Sequence, residues 1–256
     1  MTFDEFVERT GYDRPERDDT ITGGLTLDGF KLALVELDRE LTEPLNLRAV
    51  GGFALMCRDL RKTMPVTVDI DTVTPDPAPA QQAAIERVAA RLHLPGDWIN
   101  NSTVFAPGDA TTQEDCDAMD VMLDADYEPA RLVMDPSQDP SIDAEFAAMR
   151  HISLDIATLE TLAHAKAYAV LSIGCGRTGK DALDFIEISR EMGIDTLAEA
   201  YKRLPWLNDF EFEGFGEALT ADLCDADGYV DTEPATGPAA PTPVRAIGEP
   251  DRILSL

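Results

Sequence analysis

The chain has 256 residues, with 21 lysines and arginines against 49 aspartates and glutamates and a formal net charge of −28. That balance opposes nonspecific attraction to nucleic acid over most of the surface, so a large polyanionic acceptor would need a local basic lip; the plainer account is that acidity serves solubility or adaptation to salt. The chain shows no amino-terminal apolar run and no apolar segment of membrane length, so a soluble, cytoplasmic protein with no membrane partner is expected.

A chain of this length can bury a sizeable core, as one domain with an appendage or as two small lobes. Cys57, Cys116, Cys175 and Cys224 are scattered without C-x-x-C spacing. Buried free thiols are therefore expected, and with only three histidines (His93, His151, His164) a zinc site is not.

Residues 1–25 begin with a short helix from Phe3 to Arg9 and continue through turn-rich, charged sequence, which suggests a surface arm. From Thr26, the apolar residues Leu27, Phe30, Leu34, Leu37 and Leu41 recur at helical spacing, with Lys31, Glu36, Asp38 and Arg39 largely off that face. Leu45–Val50 reads as a strand leading to Gly51-Gly52 and a short helical run, Phe53 to Met56. A Gly-Gly turn lets backbone amides approach a phosphate without interference from a side chain. Val68-Asp69-Ile70-Asp71 then alternates as a half-buried strand, with both carboxylates on one face. Such a pair repels itself unless it is well solvated or a divalent cation lies between, and an exposed strand face in an acidic protein is the simpler alternative.

Further along, Ala80–Leu94 is helical, Trp98 is a core residue, 106–117 is an acidic loop, and Met119–Leu123 and Ala130–Met134 are expected strands. Ile152, Leu154 and Ile156 alternate as another strand. Thr158–Leu171 and Lys180–Met192 are expected helices, the second turning Ala182, Leu183, Phe185 and Ile186 inward. In the first of these Lys166 sits among alanines, where a lysine either snorkels to solvent or points into a cleft. Gly174 to Lys180 fits half of a phosphate-cradling G-x-x-x-x-G-K loop, but Asp181 replaces the Ser or Thr that would meet Mg²⁺, and too little chain follows to complete such a fold. A helix from Thr196 to Arg203 comes next. From residue 222 the acidic, Pro- and Ala-rich composition points to a disordered tail.

Gly51-Gly52 followed by Thr67-Val68-Asp69-Ile70-Asp71 resembles the signature of DNA-polymerase-β-like nucleotidyltransferases, in particular the bacterial abortive-infection and toxin-type branch, which reads GG, a short helix, then T-x-D-I-D. Glu160, Lys166, Arg177, Lys180, Asp181 and Asp184 are similar to the second signature of that branch. Two departures stand out: the stretch from Gly52 to Asp69 is longer than in the family, and Pro65 occupies the place of an arginine whose charge Arg58, Arg61 or Lys62 would have to supply.

The resemblance implies an α/β (α+β) fold, with a small mixed sheet flanked by helices over 26–156, a helical lobe over 157–221, and the tail from 222 to 256. It implies a metal-dependent transfer of a nucleoside monophosphate from an NTP to an acceptor hydroxyl, with release of pyrophosphate. Mg²⁺ or Mn²⁺ would be held by Asp69 and Asp71, with Asp120 as third carboxylate and Asp135 behind it. Gly51, Gly52, Arg177 and Lys180 would contact the nucleotide, and Lys166 and Asp181 would complete the catalytic set. Lys166 would reach the β- or γ-phosphate and Asp181 would orient Lys180 or the metal, neither mattering to folding. The acceptor is left open among RNA, protein and a small molecule, and a toxin-type member would have an antitoxin-type protein partner. The alternative is a catalytically inactive nucleotidyltransferase-like protein that binds or regulates.

Overall fold

The structure, a computed structural model, describes residues 1–10, 24–61, 66–101, 111–171 and 179–222. The first helix, α1 (Phe3–Thr10), is docked on the body of the protein: Phe6 is fully buried and the Phe3 ring stacks on His93 at 4.3 Å. The next, α2 (Leu27–Glu40), starts where the sequence places it, with the Thr26 hydroxyl accepting the Gly29 N–H at 3.2 Å as an N-cap.

Contrary to expectation, α2 has almost no solvent face, and Lys31, Glu36 and Asp38 are all buried. Each is fully engaged, as a buried charge must be. Lys31 donates to Asp143 at 2.8 Å, to the Ser137 hydroxyl at 3.1 Å and to the Asp135 carbonyl at 2.7 Å. Glu36 meets Arg39 and Arg91, and Asp38 accepts the backbone N–H groups of Arg150, His151 and Ile152. Helices from either side of α2 in sequence pack on it and take up its charges, which periodicity alone does not reveal.

After α2 come β1 (Leu45–Ala49), α3 (Gly51–Cys57), β2 (Ile70–Asp71), α4 (Pro79–Leu92) and β3 (Ile99–Asn100). Then follow α5 (Gln113–Met122), β4 (Tyr127–Pro129), α6 (Ala130–Val133), α7 (Pro140–Ala147) and β5 (Ile152–Ala157). The last described elements are α8 (Leu159–Leu171), α9 (Lys180–Glu191), α10 (Leu197–Arg203) and α11 (Phe215–Asp222). The architecture is mixed α/β. One ladder has the order β1-β5-β4, with β1 parallel and β4 antiparallel to β5; a second pairs β2 with β3 in parallel. An antiparallel bridge between Ala49 and Thr72 joins the two, closed by Val50 N–H to Asp71 O at 2.9 Å and Val73 N–H to Arg48 O at 2.8 Å.

Two expected strands are helices. Met119–Leu123 belongs to α5, which Thr112 and Asp115 start reciprocally: the Thr112 hydroxyl accepts the Asp115 N–H at 3.2 Å and the Asp115 carboxylate accepts the Thr112 N–H at 2.9 Å. That capping box is written in the sequence as Thr112-x-x-Asp115, and it outweighs the local β propensity of Met-Asp-Val-Met. Ala130–Met134 contains the single turn α6. Leu183, expected inward, is 51% exposed, whereas Trp98 is fully buried as expected, with its indole N–H 3.4 Å from the Ile85 carbonyl. Among the described residues no helix is long and apolar enough to cross a membrane. Residues 223–256 and the glycine-rich stretch 174–178 lie outside the described residues.

Candidate functional site

The site begins where β1 ends. Val50 is extended, and Gly51 then turns the chain with φ +64°, a left-handed conformation that disfavours any residue with a Cβ. The pairing that joins the ladders sets Asp71 opposite Val50. A Cβ on Gly51 would stand 2.1 Å from Asp71 Oδ2 and 3.1 Å from Asp71 Cβ, so the missing side chain makes room for that carboxylate. At Gly52 a Cβ would stand 2.7 Å from Arg61 Nη1 and 3.0 Å from the Thr67 hydroxyl. The glycine pair thus lets a carboxylate and a guanidinium close on the backbone.

The expected strand from Val68 is reduced to Ile70–Asp71, with Thr67 bridging to Leu25. The alternation nevertheless survives as burial: Val68 is exposed, Ile70 is fully buried, and Asp69 and Asp71 are half-buried. Asp69 accepts from Asn100 Nδ2 at 3.2 Å and from the Thr67 hydroxyl at 3.5 Å. Burial raises the Asp69 carboxyl above the usual aspartate range, against the opposing pull of the Asn100 hydrogen bond and the Lys180 charge.

A raised carboxyl contributes stability below its unfolded-state pKa, and that contribution is lost as pH rises through the folded-state value. Ionising Asp69 is therefore a cost to the fold. Asp69→Asn is expected to melt above wild type at pH 7, with the gap closing as pH falls toward the ordinary carboxyl range. Thermal denaturation at pH 7 and near pH 4 checks this, and a variant that melts below wild type at pH 7 would contradict it.

The second group of expected residues lies more than 90 positions downstream and comes to the same place. Lys166, on α8, is 7% exposed and donates to Asp181 at 2.6 Å, and its ammonium lies 2.7 Å from Asp184. From the other side the Arg61 guanidinium forks onto Asp184, with Nε 3.3 Å from Oδ1 and Nη2 3.1 Å from Oδ2. Two cations and two carboxylates, all buried, form one network that ties α8 and α9 to the segment after α3. Lys166 and Asp181, expected to serve catalysis without mattering to folding, are both engaged in this buried network.

Lys180 behaves differently. Among the described residues its ammonium makes no hydrogen bond or ion pair, and burial, followed by the charges of Arg61 and Lys166, lowers its pKa below the usual lysine value. Its charge in turn bears on Asp69. Lys180 is thus a cation facing the aspartate strand, with no counterion of its own in hydrogen-bond range. Arg177 lies outside the described residues.

Of the three basic residues between the glycine turn and Pro65, Arg58, Arg61 and Lys62, Arg61 reaches the site. Arg58 is turned away to the Ala157 carbonyl at 2.8 Å and to Glu128 at 2.5 Å, and Lys62 lies outside the described residues. Asp120 is on helix α5 rather than on a strand. One of its oxygens takes the Arg48 guanidinium and the other the Tyr127 hydroxyl at 2.8 Å, with Arg48 also lying over the Tyr127 ring. Asp135 is exposed and lines a cavity of about 250 Å³ beside Asp28, Met56, Asp59 and Arg61. No group of three or more His, Cys, Asp or Glu that could hold a metal occurs among the described residues.

One carboxylate was passed over in the sequence. Asp155 pairs in register with Arg48, and because paired residues share a sheet face and every second residue returns to it, Asp155, Arg48 and Asp71 lie on one face. The signal was the alternation Ile152, Leu154, Ile156, which leaves Asp155 out of phase with the core.

Comparison of the chain with models of known protein families, with curated proteins and with solved structures finds no match.

Proposed function

We propose that the protein is a metal-dependent nucleotidyltransferase with a polymerase-β-like fold, binding an NTP between the Gly51-Gly52 turn and the N-terminal end of α9. The observation that carries this reading is the convergence on one another of the glycine turn, Asp69, Asp71, Arg61 and Lys180, drawn from segments more than 100 residues apart. An acidic pair faced by a half-buried lysine that has no hydrogen-bonded counterion among the described residues suits a ligand that is both an anion and a carrier of cations, which describes a triphosphate with its metal.

The residues present fit such a metal. Mg²⁺ is commonly held by one or two carboxylates together with substrate phosphates rather than by an all-protein cage, so Asp69 and Asp71 suffice as protein ligands. When bound, the cation would neutralise charge that builds on the phosphates. The remaining work is positioning and charge stabilisation by the chain's own groups. Lys180 draws the phosphate chain toward α9, and the bare backbone of the glycine pair admits it. The acceptor hydroxyl then attacks the α-phosphorus in line: the new P–O bond forms, the α–β bridging bond breaks, pyrophosphate departs and the hydroxyl proton is lost to solvent or a nearby base. The acceptor class, and a place in an abortive-infection or toxin–antitoxin system with an antitoxin-type partner, extend this reading only through the sequence resemblance.

Pyrophosphate release from each of the four NTPs with Mg²⁺ or Mn²⁺, in the presence of cell extract as acceptor source, is expected from wild type. It is expected to fall by about 10²-fold or more in Asp69→Asn/Asp71→Asn. Metal-dependent NTP binding without turnover would favour the inactive, regulatory alternative. Equal metal–NTP affinity in wild type and the double variant would remove the basis of the assignment.

A further inference from the structure

Arg61 is distinguished by its backbone as well as by its side chain. Its φ is +38°, in the sparsely populated left-handed region, and such a conformation persists only where the surroundings hold it. Here the holding groups are several. The Arg61 N–H donates to Glu187 at 3.2 Å, Nε and Nη2 engage Asp184, and Nη1 lies against Gly52 and 3.5 Å from the Val66 carbonyl. One side chain, 3% exposed, therefore touches the glycine turn, the segment leading to Asp69, and α9. Those three pieces carry the groups assigned above to phosphate and metal.

We infer that Arg61 is a positioning residue whose fork onto Asp184 sets the separation between the glycine turn and Lys180, the gap that a triphosphate chain would fill. This rests on the nucleotide-binding reading. A planar guanidinium fixes both distance and angle to a carboxylate, which the point charge of a lysine does not. Because α9 begins at Lys180 and contains Asp184 one turn later, fixing Asp184 fixes Lys180. The guanidinium also adds positive potential next to Lys180, as the depressed lysine records. Arg61 makes these contacts from the chain just after α3 rather than from the position two before Thr67, where Pro65 stands.

The test is calorimetric titration of inorganic tripolyphosphate, a probe free of any base preference, into wild type, Arg61→Lys and Arg61→Met/Asp184→Leu. The double variant replaces a buried ion pair by apolar groups of similar size, a change that often leaves stability intact, and Lys166 keeps Asp181. Its melting temperature is expected to stay near wild type while tripolyphosphate affinity falls about tenfold or more. Arg61→Lys is expected to restore the charge but not the affinity, and it carries the test if the double variant fails to fold. Wild-type affinity in either folded variant would reduce Arg61 to a structural ion pair. A wild-type protein that binds neither tripolyphosphate nor any NTP would overturn the nucleotide reading itself, and the role of Arg61 with it.

Discussion

Lys166→Ala is expected to lower the melting temperature by about 10 °C, because removing one cation from a buried ion network costs about 3–5 kcal/mol. Lys166 donates to Asp181, which is 4% exposed, at 2.6 Å and lies 2.7 Å from Asp184, which would retain the Arg61 fork. Lys180→Ala is the contrasting case. Its ammonium has no hydrogen-bonded partner among the described residues and burial works against its charge, so its loss is expected to leave the melting temperature unchanged or slightly raised. Under the proposed reading the same change lowers turnover by about 10²-fold, the effect of losing one charge-stabilising donor. Thermal denaturation and pyrophosphate release on the two variants separate the roles. If Lys166→Ala melted with wild type, the ammonium would not be part of a closed network; if Lys180→Ala kept full turnover, that lysine would not contact the phosphates.

Gly51→Ala is expected to have the largest effect of any single methyl group added to the site. The residue sits at φ +64°, where a Cβ costs about 1–2 kcal/mol. The added carbon would also fall 2.1 Å from Asp71 Oδ2, so the carboxylate must turn away, and 3.1 Å from Asp71 Cβ, which must give by a few tenths of an ångström. A displacement of order an ångström at a metal-holding group costs about 10²-fold in turnover, in addition to the lost stability. Gly96→Ala is the control, since a Cβ there meets nothing within 4 Å and both readouts are expected to stay at wild-type values. Equal behaviour of the two variants would show that Asp71 is not confined by the turn.

Much of this arrangement is legible along the chain because it is local. The glycine pair, the Asp69/Asp71 alternation, the Thr26 cap of α2, β1, β5 and the helices α8 and α9 each depend on residues a few positions apart, and hydrophobic periodicity reports such dependence directly. Periodicity failed at Met119–Leu123 and Ala130–Met134, where the apolar run was too short to distinguish a strand from a helical turn; at the first of these the deciding signal was a cap at Thr112. It failed on α2 for a different reason: whether Lys31, Glu36 and Asp38 face water depends on α7, α4 and the chain before β5, none of which is local to them.

The chain by itself determined which residues could serve the site, since two acidic residues at i and i+2 after a Gly-Gly turn can share a face in any fold that makes them a strand. Only the tertiary structure decided how the basic residues divide. Lys166 and Lys180 both read as lysines on helices, with nothing local to divide their roles. Packing commits one to a buried network with Asp181 and Asp184 and leaves the other facing Asp69. Likewise Arg58 and Arg61 lie three residues apart, yet a left-handed turn at Arg61 sends its guanidinium to Gly52 and Asp184 while Arg58 goes to Glu128. A charged side chain is placed by whichever partner best compensates its desolvation, and that partner lies 15 residues away for Lys166, 70 for Arg58 and 123 for Arg61.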